Sequence, residues 1–179
     1  SINLRQLAYP NELVPFLPGL GLDWRLFEND RTSIQLKTAF GLGLKLPTLN
    51  DRYWEPGGNP NLRPEKSQNG ELGFQLKRKG TFSWSQRLTY YQMQVDDWII
   101  WLPKGNLWSP ENIREVHNQG VEYQGESSWT TGHLTWQANI SYTYSSTRDL
   151  AQEGSHQLPY SPKHQGNAGL QMKRDDLAF

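Results

Sequence analysis

Apolar and polar residues alternate along extended parts of the chain. Between residues 32 and 46, the even positions carry Thr, Ile, Leu and Phe, whereas the odd positions carry Ser, Gln, Lys, Ala and Gly. Successive side chains of a strand point to opposite faces of a sheet, so this alternation predicts a long strand with one apolar and one polar face. The same reasoning predicts strands at residues 16–26, 71–77, 113–129, 133–145 and 167–173.

Residues 82–101 begin with the same alternation but do not keep its phase. Apolar residues occupy even positions at first, but Met93 and Val95 occupy odd ones. A bulge or a strand end near Gln92 would explain this change. With a short fragment at residues 2–7, the chain has seven or eight predicted strands, and no segment has a convincing helical period.

Two kinds of connection separate the predicted strands. Tight turns rich in Asn, Asp, Gly and Thr are predicted at residues 28–30, 77–80 and 130–132. Long connections are predicted at residues 47–66, 103–112 and 148–163. Because short and long connections alternate, an antiparallel meander would have all its tight turns at one end and all its long loops at the other. Loops longer than about 12 residues are uncommon in compact domains unless they have a function.

Large aromatic residues cluster near both ends of the predicted strands. The rings toward the tight-turn end are Trp24, Phe82, Trp84, Trp129 and Trp136. The rings toward the long-loop end are Tyr90, Trp98, Trp101, Tyr142 and Tyr144. Two such belts are typical of a barrel that crosses two water–lipid interfaces.

Strand length distinguishes between two all-β folds. Strands of a soluble β-sandwich are typically about 5–6 residues long, whereas a transmembrane β-strand needs about 9–11. The polar row also suits a wet lumen, because an unpaired polar group in a dry core costs about 1–3 kcal/mol. We therefore predict an all-β fold, an antiparallel up-and-down meander of about seven to eight long strands that forms a partial transmembrane β-barrel. The short turns would face the periplasm and the long loops the exterior.

Composition excludes several classes of protein. The 18 basic and 18 acidic residues cancel, so no global field attracts nucleic acid, and we expect no nucleic-acid partner. There is no cysteine, which excludes disulfides and thiolate metal sites. No stretch approaches the roughly 18 continuous apolar residues that a transmembrane helix needs.

One stretch carries a resemblance to a known family. Residues 47–74 read PTLNDRYWEPGGNPNLRPEKSQNGELGF. This passage resembles the loop-to-strand region of TonB-dependent outer-membrane receptors, in Pro47, Thr48, Asp51, Tyr53, Trp54, Gly58, Asn59, Pro60, Leu62, Pro64, Glu65, Glu71 and Gly73. The likeness continues downstream through Tyr90, Asp97, Ile99, Trp101, Asn118, Gly120, Val121, Glu122, Leu158, Pro159 and Pro162.

The resemblance implies a function in nutrient import. Such receptors have 22-stranded barrels plugged by an N-terminal domain, and they import iron-siderophores, haem, vitamin B12 or glycans with energy from TonB. Residues 1–179 would then be a single barrel segment of the cell outer membrane, without the plug domain and the final strands. Its expected partners are a small-molecule nutrient, outer-membrane lipid and, through the missing plug, the TonB complex. We expect the two edge strands to pair, with each other or with a neighbouring chain.

Five aromatic residues at the long-loop end are candidate ligand-binding residues. The resemblance implies that loops and plug apices hold the ligand, and aromatic walls suit a corrin, a porphyrin or a sugar face. The alternative for each residue is a place in the interfacial belt. The candidates are Tyr53, Trp54, Trp98, Trp101 and Trp108.

The sequence contains no pattern typical of an enzyme. His117, His133, His156 and His164 lack metal-binding spacing, and the acidic pairs at 96–97 and 175–176 lack the six to eight oxygens that calcium takes. No serine lies in a nucleophile elbow, and no carboxylate pair is placed for acid–base work. We predict no catalytic residues, cofactor or metal. The alternative function is a soluble β-sandwich that binds carbohydrate through exposed Trp and Tyr.

Overall fold

Two antiparallel sheets contain the described strands. The structure is a computed structural model and describes residues 1–5, 8–9, 12–13, 16–149 and 161–174. The elements in chain order are β1 (Ile2–Arg5), β2 (Ala8–Tyr9), β3 (Glu12–Leu13), β4 (Leu17–Glu28), β5 (Thr32–Lys45), α1 (Leu49–Tyr53), β6 (Glu65–Arg78), β7 (Phe82–Lys104), β8 (Leu107–Thr131), β9 (Leu134–Asp149) and β10 (His164–Arg174). Eight strands form one sheet in the order β1-β4-β5-β6-β7-β8-β9-β10, and β2 pairs with β3.

The large sheet confirms the predicted meander. From β4 to β10, each strand pairs antiparallel with the next strand along the chain. The pairing of β5 with β6 runs without a break from Thr32 opposite Arg78 to Lys45 opposite Glu65. These strands have 11 to 25 residues, whereas the average strand has about 5–6. The described residues contain no helix long and apolar enough to cross a membrane.

The three predicted tight turns are confirmed, and they lie at one end of the sheet. In the β4–β5 turn, the Asn29 side chain accepts hydrogen bonds from the backbone N–H groups of Arg31 and Thr32, at 3.0 and 2.7 Å. In the β6–β7 turn, the Ser83 hydroxyl donates to the Gly80 carbonyl at 2.9 Å. In the β8–β9 turn, Gly132 has a φ of +60°, which a residue without Cβ adopts easily.

The predicted long connection at residues 103–112 is wrong. Strands β7 and β8 continue through this region to a two-residue turn at Gly105 and Asn106, and Lys104 lies opposite Leu107. Gly105 has a φ of +59°, which a tight hairpin turn requires. A salt bridge between Lys104 and Glu111 joins the two strands near the tip. The resulting hairpin has strands of 23 and 25 residues.

The predicted long connection between β5 and β6 lies where the sequence predicts it. Residues 46–64 connect β5 to β6, and this loop contains the five-residue helix α1, although no helix is predicted. The loop also contains a cis peptide bond between Glu55 and Pro56. The connection from β9 to β10 lies largely in residues 150–160, outside the described residues.

The predicted bulge or strand end near Gln92 is also wrong. Gln92 lies opposite Gly70 of β6 and opposite Gln119 of β8, in the same register as the residues before and after it. A register shift occurs elsewhere, in the pairing of β4 with β5, between Arg25 and Phe27.

The alternation of apolar and polar residues shifts by one position at Met93 and Val95 for a different reason. From here on, the other face of the strand carries the apolar residues. Beyond Tyr90, the apolar side chains of β7 point to the face that is polar nearer the turns. Val95 pairs with Val116 of β8, and these side chains are 4% and 0% exposed. The strand therefore stays regular while its environment changes.

The apolar face of the sheet is exposed between two rows of aromatic rings. Leu22, Leu72 and Leu170 have 58%, 51% and 66% of their surface exposed. At the tight-turn end, the ring of Trp129 lies 5.9 Å from that of Phe82 and 6.2 Å from that of Trp136. At the other end, the row contains Tyr90 of β7 and Tyr142 and Tyr144 of β9, on either side of β8.

The polar face is concave. Hollows of about 540, 460 and 520 Å³ are lined mainly by its residues, among them Lys37, Lys77, Arg87, Glu122 and Glu126. The soluble sandwich requires a second sheet over the apolar face, and no second sheet covers it in the described part of the chain. The two edge strands of the described sheet do not pair with each other, because β1 and β10 lie at its opposite ends; pairing with a neighbouring chain stays a prediction.

Candidate functional site

The candidate site lies at the end of the sheet opposite the tight turns, where the β5–β6 loop contacts the long β7–β8 hairpin. The loop begins with a capping box. The Thr48 hydroxyl accepts a hydrogen bond from the backbone N–H of Asp51 at 3.1 Å, and the Thr48 backbone N–H donates to Asp51 Oδ2 at 2.9 Å. These two bonds satisfy N–H groups that a helix start leaves free, so a helix of one turn forms here.

The second oxygen of Asp51 binds the hairpin. Asp51 Oδ1 accepts a hydrogen bond from the indole Nε1 of Trp101, at 3.0 Å. Partial burial alone would raise the pKa of Asp51, but the hydrogen bonds from Thr48 and Trp101, together with the charge of Lys45, lower it below its ordinary value. Asp51 therefore stabilises the start of α1 and fixes the ring of Trp101 at the same time.

Two small or polar residues of the loop make close contact with β8. Asn59 Nδ2 donates a hydrogen bond to the backbone carbonyl of Pro110 at 3.1 Å. At Gly57, an added Cβ would collide with the Trp108 carbonyl and lie 3.6 Å from Cζ3 of Trp101. Only glycine allows this close approach of the two backbones, so Gly57 and Asn59 hold the loop against the hairpin.

The descending part of the loop is bound through Asn112 of β8. Asn112 accepts a hydrogen bond from the backbone N–H of Arg63 at 2.9 Å and donates to the carbonyls of Arg63 and Asp97, at 3.1 and 2.6 Å. Arg63 Nε also donates to Asp97 Oδ1 at 3.0 Å, and this hydrogen bond and charge raise the pKa of the guanidinium. Asp97 has a left-handed φ of 58°, which Asp tolerates better than most residues.

A carboxylate at the start of β6 completes the junction. Glu65 is buried, with 7% of its surface exposed. Its Oε1 accepts hydrogen bonds from the backbone N–H of Ile99 and from Lys45 Nζ, both at 3.0 Å. The buried charge thus has partners from β5 and β7, which satisfies it. We call residues 46–65 with their contacts on β7 and β8 the loop–hairpin junction.

The structure brings only some of the five predicted residues together. Trp101 lies inside the junction, and Trp108 contacts Gly57 through its backbone while its side chain is 54% exposed. Tyr53 and Trp54, at the end of α1, expose 64% and 56% of their surface. Trp98 lines a separate hollow on the concave side.

Trp98 and Trp101 do not lie in the upper aromatic row. They follow Tyr90 on β7 by 8 and 11 residues, which corresponds to about 26 and 36 Å along a strand. Sequence reasoning missed Asn112, Arg63 and Asp97 as residues of the junction. Only the Thr48-x-x-Asp51 spacing was visible as a capping signal.

No group of three or more His, Asp or Glu side chains able to hold a metal ion occurs among the described residues. His164 Nδ1 forms a hydrogen bond with the hydroxyl of Tyr142 at 2.7 Å, and its ring lies 5.2 Å from that of Tyr144. His156 and the acidic pair at 175–176 lie outside the described residues. His164 therefore takes part in aromatic and hydrogen-bond contacts on the outer face of the sheet.

Comparison with known proteins identifies relatives along most of the chain. The vitamin B12 transporter BtuB of Photobacterium profundum is 35% identical over 138 residues, which cover 73% of this chain and 22% of the relative. The vitamin B12 transporter BtuB of Vibrio vulnificus is 31% identical over 123 residues, which cover 67% of this chain and 19% of the relative. This chain thus spans about a fifth of the length of these curated relatives.

The family comparison agrees with the sheet and with these relatives. Residues 8–177 match the family described as TonB dependent receptor-like, beta-barrel. The match includes all of the strands from β4 to β10 and the whole loop–hairpin junction. The chain therefore belongs to the TonB-dependent receptor-like β-barrel family.

Proposed function

We propose that this chain forms one sector of the outer-membrane barrel of a receptor that imports a scarce nutrient with energy delivered through TonB. The observation that carries the proposal is the exposed apolar face between two aromatic rows. Phe82 and Tyr90 bound nine residues of β7, and a strand that crosses the hydrocarbon at a tilt needs about 9–11 residues. Lipid is therefore the expected partner of this face.

The distribution of charge supports the same proposal. Between the two aromatic rows, the outward positions of β4 to β10 carry no Asp, Glu, Lys or Arg. The concave face carries Lys37 and Asp23, whose charged groups lie 3.4 Å apart, together with Arg87 and Glu122. A charge at the lipid midplane costs about 2–4 kcal/mol, whereas a wet lumen solvates it.

The proposed orientation follows from the lengths of the connections. The tight turns would lie in the periplasm, and the loop–hairpin junction would lie outside the cell, where it can meet a ligand. A plug domain and further strands of a longer protein would complete the barrel and couple it to TonB. We propose that this sector has no catalytic residue and is not an enzyme.

The proposed ligand is a small nutrient, and vitamin B12 is the first candidate because two relatives are named as its transporters. Iron-siderophore, haem and glycan are the other candidates of the receptor hypothesis. We propose Tyr53, Trp54, Trp98, Trp101 and Trp108 as ligand-binding residues. The exposed rings of Tyr53 and Trp54 support this role, because a loop bound to the hairpin carries them with little freedom to move.

The test uses the full-length protein that carries this segment, produced in a Gram-negative strain without its own vitamin B12 receptor. We expect heat-modifiable gel mobility in the outer-membrane fraction and TonB-dependent uptake of labelled cyanocobalamin. Replacement of Tyr53 and Trp54 by Ala is expected to reduce uptake, whereas Trp24→Ala at the tight-turn end is not. A protein found in the soluble fraction would overturn the receptor proposal. Uptake of a ferric siderophore instead of cyanocobalamin would overturn only the choice of ligand.

A further inference from the structure

A polar hollow beside Trp98 has the size and lining of a ligand subsite. Its volume is about 480 Å³, within the range of about 300–1,000 Å³ that small-molecule sites have. It opens on the concave side between β7, β8, β9 and β10, and it extends from the level of the upper aromatic row away from the tight turns. It is separate from the loop–hairpin junction, because neither Asp51 nor Trp101 lines it.

Two aromatic rings form one wall of the hollow. Tyr91 and Trp98 both line it, although strict alternation along β7 would put them on opposite faces. The left-handed backbone of Asp97 lies between them and interrupts the alternation. The ring of Tyr91 lies close over Gly120 of β8, where an added Cβ would come within 2.6 Å of its hydroxyl oxygen. Gly120 thus makes room for Tyr91 beside the hollow.

Hydrogen-bonding groups of three strands form the floor. Asn118 Oδ1 accepts hydrogen bonds from the hydroxyls of Ser145 and Thr147, at 3.0 and 3.3 Å. With its oxygen occupied in this way, the Asn118 amide Nδ2 remains as a donor. Next to it, Glu122, Thr143 and Gln165 lie side by side on β8, β9 and β10.

The charge of the lining restricts the ligand. Glu122 is the one charged residue among the described residues that line the hollow, and Arg87 lines the adjoining hollow together with Glu122. A carboxylate repels an anionic group and accepts hydrogen bonds from hydroxyl or amide N–H groups. The lining therefore suits an uncharged group with several hydrogen-bonding atoms and one apolar face.

We propose that this hollow is a binding subsite for an uncharged ligand portion that carries hydroxyl or carboxamide groups. Trp98 and Tyr91 contact its apolar face, while Glu122, Thr143 and Asn118 bind its polar groups. The proposal rests on the proposed receptor function and specifies the chemistry of its ligand. Both a sugar and the amide-bearing periphery of a corrinoid have this chemistry.

The test compares binding of three probes to the full-length protein purified from outer membranes in detergent. The probes are cyanocobalamin, the neutral oligosaccharide maltohexaose and an anionic ferric tris-catecholate, each measured by isothermal titration calorimetry. We expect one of the two neutral probes to bind, and its identity distinguishes a corrinoid from a carbohydrate source. Trp98→Ala is expected to weaken that binding about tenfold, and Trp98→Phe less. Glu122→Gln is expected to weaken it and to improve binding of the anionic probe.

The matched controls lie on the same concave face near the tight turns. Glu126→Gln on β8 and Asn139→Ala on β9 change the same chemical groups outside the hollow, and they are expected to bind as the wild type does. Wild-type binding of neither neutral probe would overturn the subsite, even where the ferric probe binds and the receptor proposal holds. Unchanged affinity in both Trp98→Ala and Glu122→Gln would also overturn it. Failure of the wild-type protein to assemble in the membrane counts against the receptor proposal instead.

Discussion

We call the part of the large sheet between the two aromatic rows the membrane-level sheet, after its proposed place. It shares one hydrogen-bonded ladder with the hairpin of the loop–hairpin junction, but the two regions carry their apolar residues on opposite faces. In the membrane-level sheet, Leu88 and Leu170 point outward and are exposed. Beyond the upper aromatic row, Val95, Val116 and Leu62 are buried. The register of β7 and β8 does not change between the two regions. The change in apolar face therefore follows from what surrounds each part of the strand and not from a change in strand geometry.

The two regions also differ in what holds them together. The membrane-level sheet relies on the ladder itself and on contact of its apolar side chains with their surroundings. The junction relies on specific side-chain bonds from Asp51, Asn59, Arg63, Glu65 and Asn112. A typical protein hydrogen bond contributes only about 0.5–1.5 kcal/mol. The junction is therefore the region that single substitutions can loosen without unfolding the sheet.

The largest effect is expected from a charge on the apolar face. Ile140→Arg places a cation midway between Trp136 and Tyr144 of β9, at the middle of the proposed lipid-facing band, and is expected to cost about 2–4 kcal/mol of folding free energy in a bilayer. The matched control is Gln124→Arg, on the exposed concave face of β8. Folding titrations of the full-length protein into lipid vesicles measure both. Equal costs for the two variants would show that the faces do not meet different solvents.

A smaller effect is expected from a cavity in the junction end. Val116→Ala removes two methyl groups from a side chain with 0% exposure and is expected to cost about 2 kcal/mol. Val121→Ala, five residues along the same strand on the apolar face, is expected to cost less because lipid can fill the space. Hydrogen–deuterium exchange of residues 95–116 measures the local loss. A greater effect at Val121 would contradict the buried assignment of Val116.

The next effect tests the capping box. Asp51→Ala removes the carboxylate half of the capping box of α1 and the partner of the Trp101 indole, while Thr48 remains the N-cap. It is expected to destabilise the loop by about 0.5–1.5 kcal/mol for each hydrogen bond lost. Faster proteolysis and faster hydrogen exchange of residues 47–64 report the loosening. Thr48→Ser keeps the capping hydroxyl, and Glu55→Gln changes an exposed charge of the same loop, so both are expected to behave as the wild type does. If Glu55→Gln destabilised the loop as much as Asp51→Ala does, the effect could not be assigned to the hydrogen bonds of Asp51.

The smallest effect is an acid dependence of the same contact. The pKa of Asp51 is lowered in the folded protein, because its hydrogen bonds outweigh the opposing effect of partial burial. The ionised carboxylate therefore contributes its full stabilisation above the pKa that Asp51 has in the unfolded chain, about 4. This stabilisation is lost as the pH falls through the lower pKa of the folded protein. The hydrogen-exchange protection factors of residues 47–64, corrected for the intrinsic exchange rate at each pH, are expected to fall in acid in the wild type. The same fall in Asp51→Asn would assign the effect to another group.

The sequence predicts the strands of the membrane-level sheet well because their alternation of apolar and polar residues continues over most of each strand. It fails at residues 103–112, because the prolines at 103 and 110 usually interrupt strands, although both lie within the paired hairpin. The sequence also wrongly predicts a bulge or strand end near Gln92. A bulge and a change in the face that carries the apolar residues both shift the alternation by one position, so the sequence alone does not distinguish them. The left-handed Asp97 has no signature in a single sequence.

The candidate site was predictable only in part. The types of residue at Tyr53, Trp54 and Trp101 indicate an aromatic, ligand-accessible end. The contacts that position them join residues far apart in the chain, since Asp51 binds Trp101 and Asn59 binds Pro110, each pair 50 or 51 positions apart. Such pairs have no fixed spacing, so only the folded hairpin brings them together.

The unusual reach of the β7–β8 hairpin makes its tip a practical attachment point. Lys104 lies 14 residues beyond Tyr90, or about 46 Å along the strand, and an added Cβ at Gly105 would meet nothing within 4 Å. A peptide tag inserted between Gly105 and Asn106 would extend the turn while the ladder below it stays paired. Antibody labelling of such a tag on intact cells would report whether the hairpin tip lies outside the cell, as the proposed orientation requires.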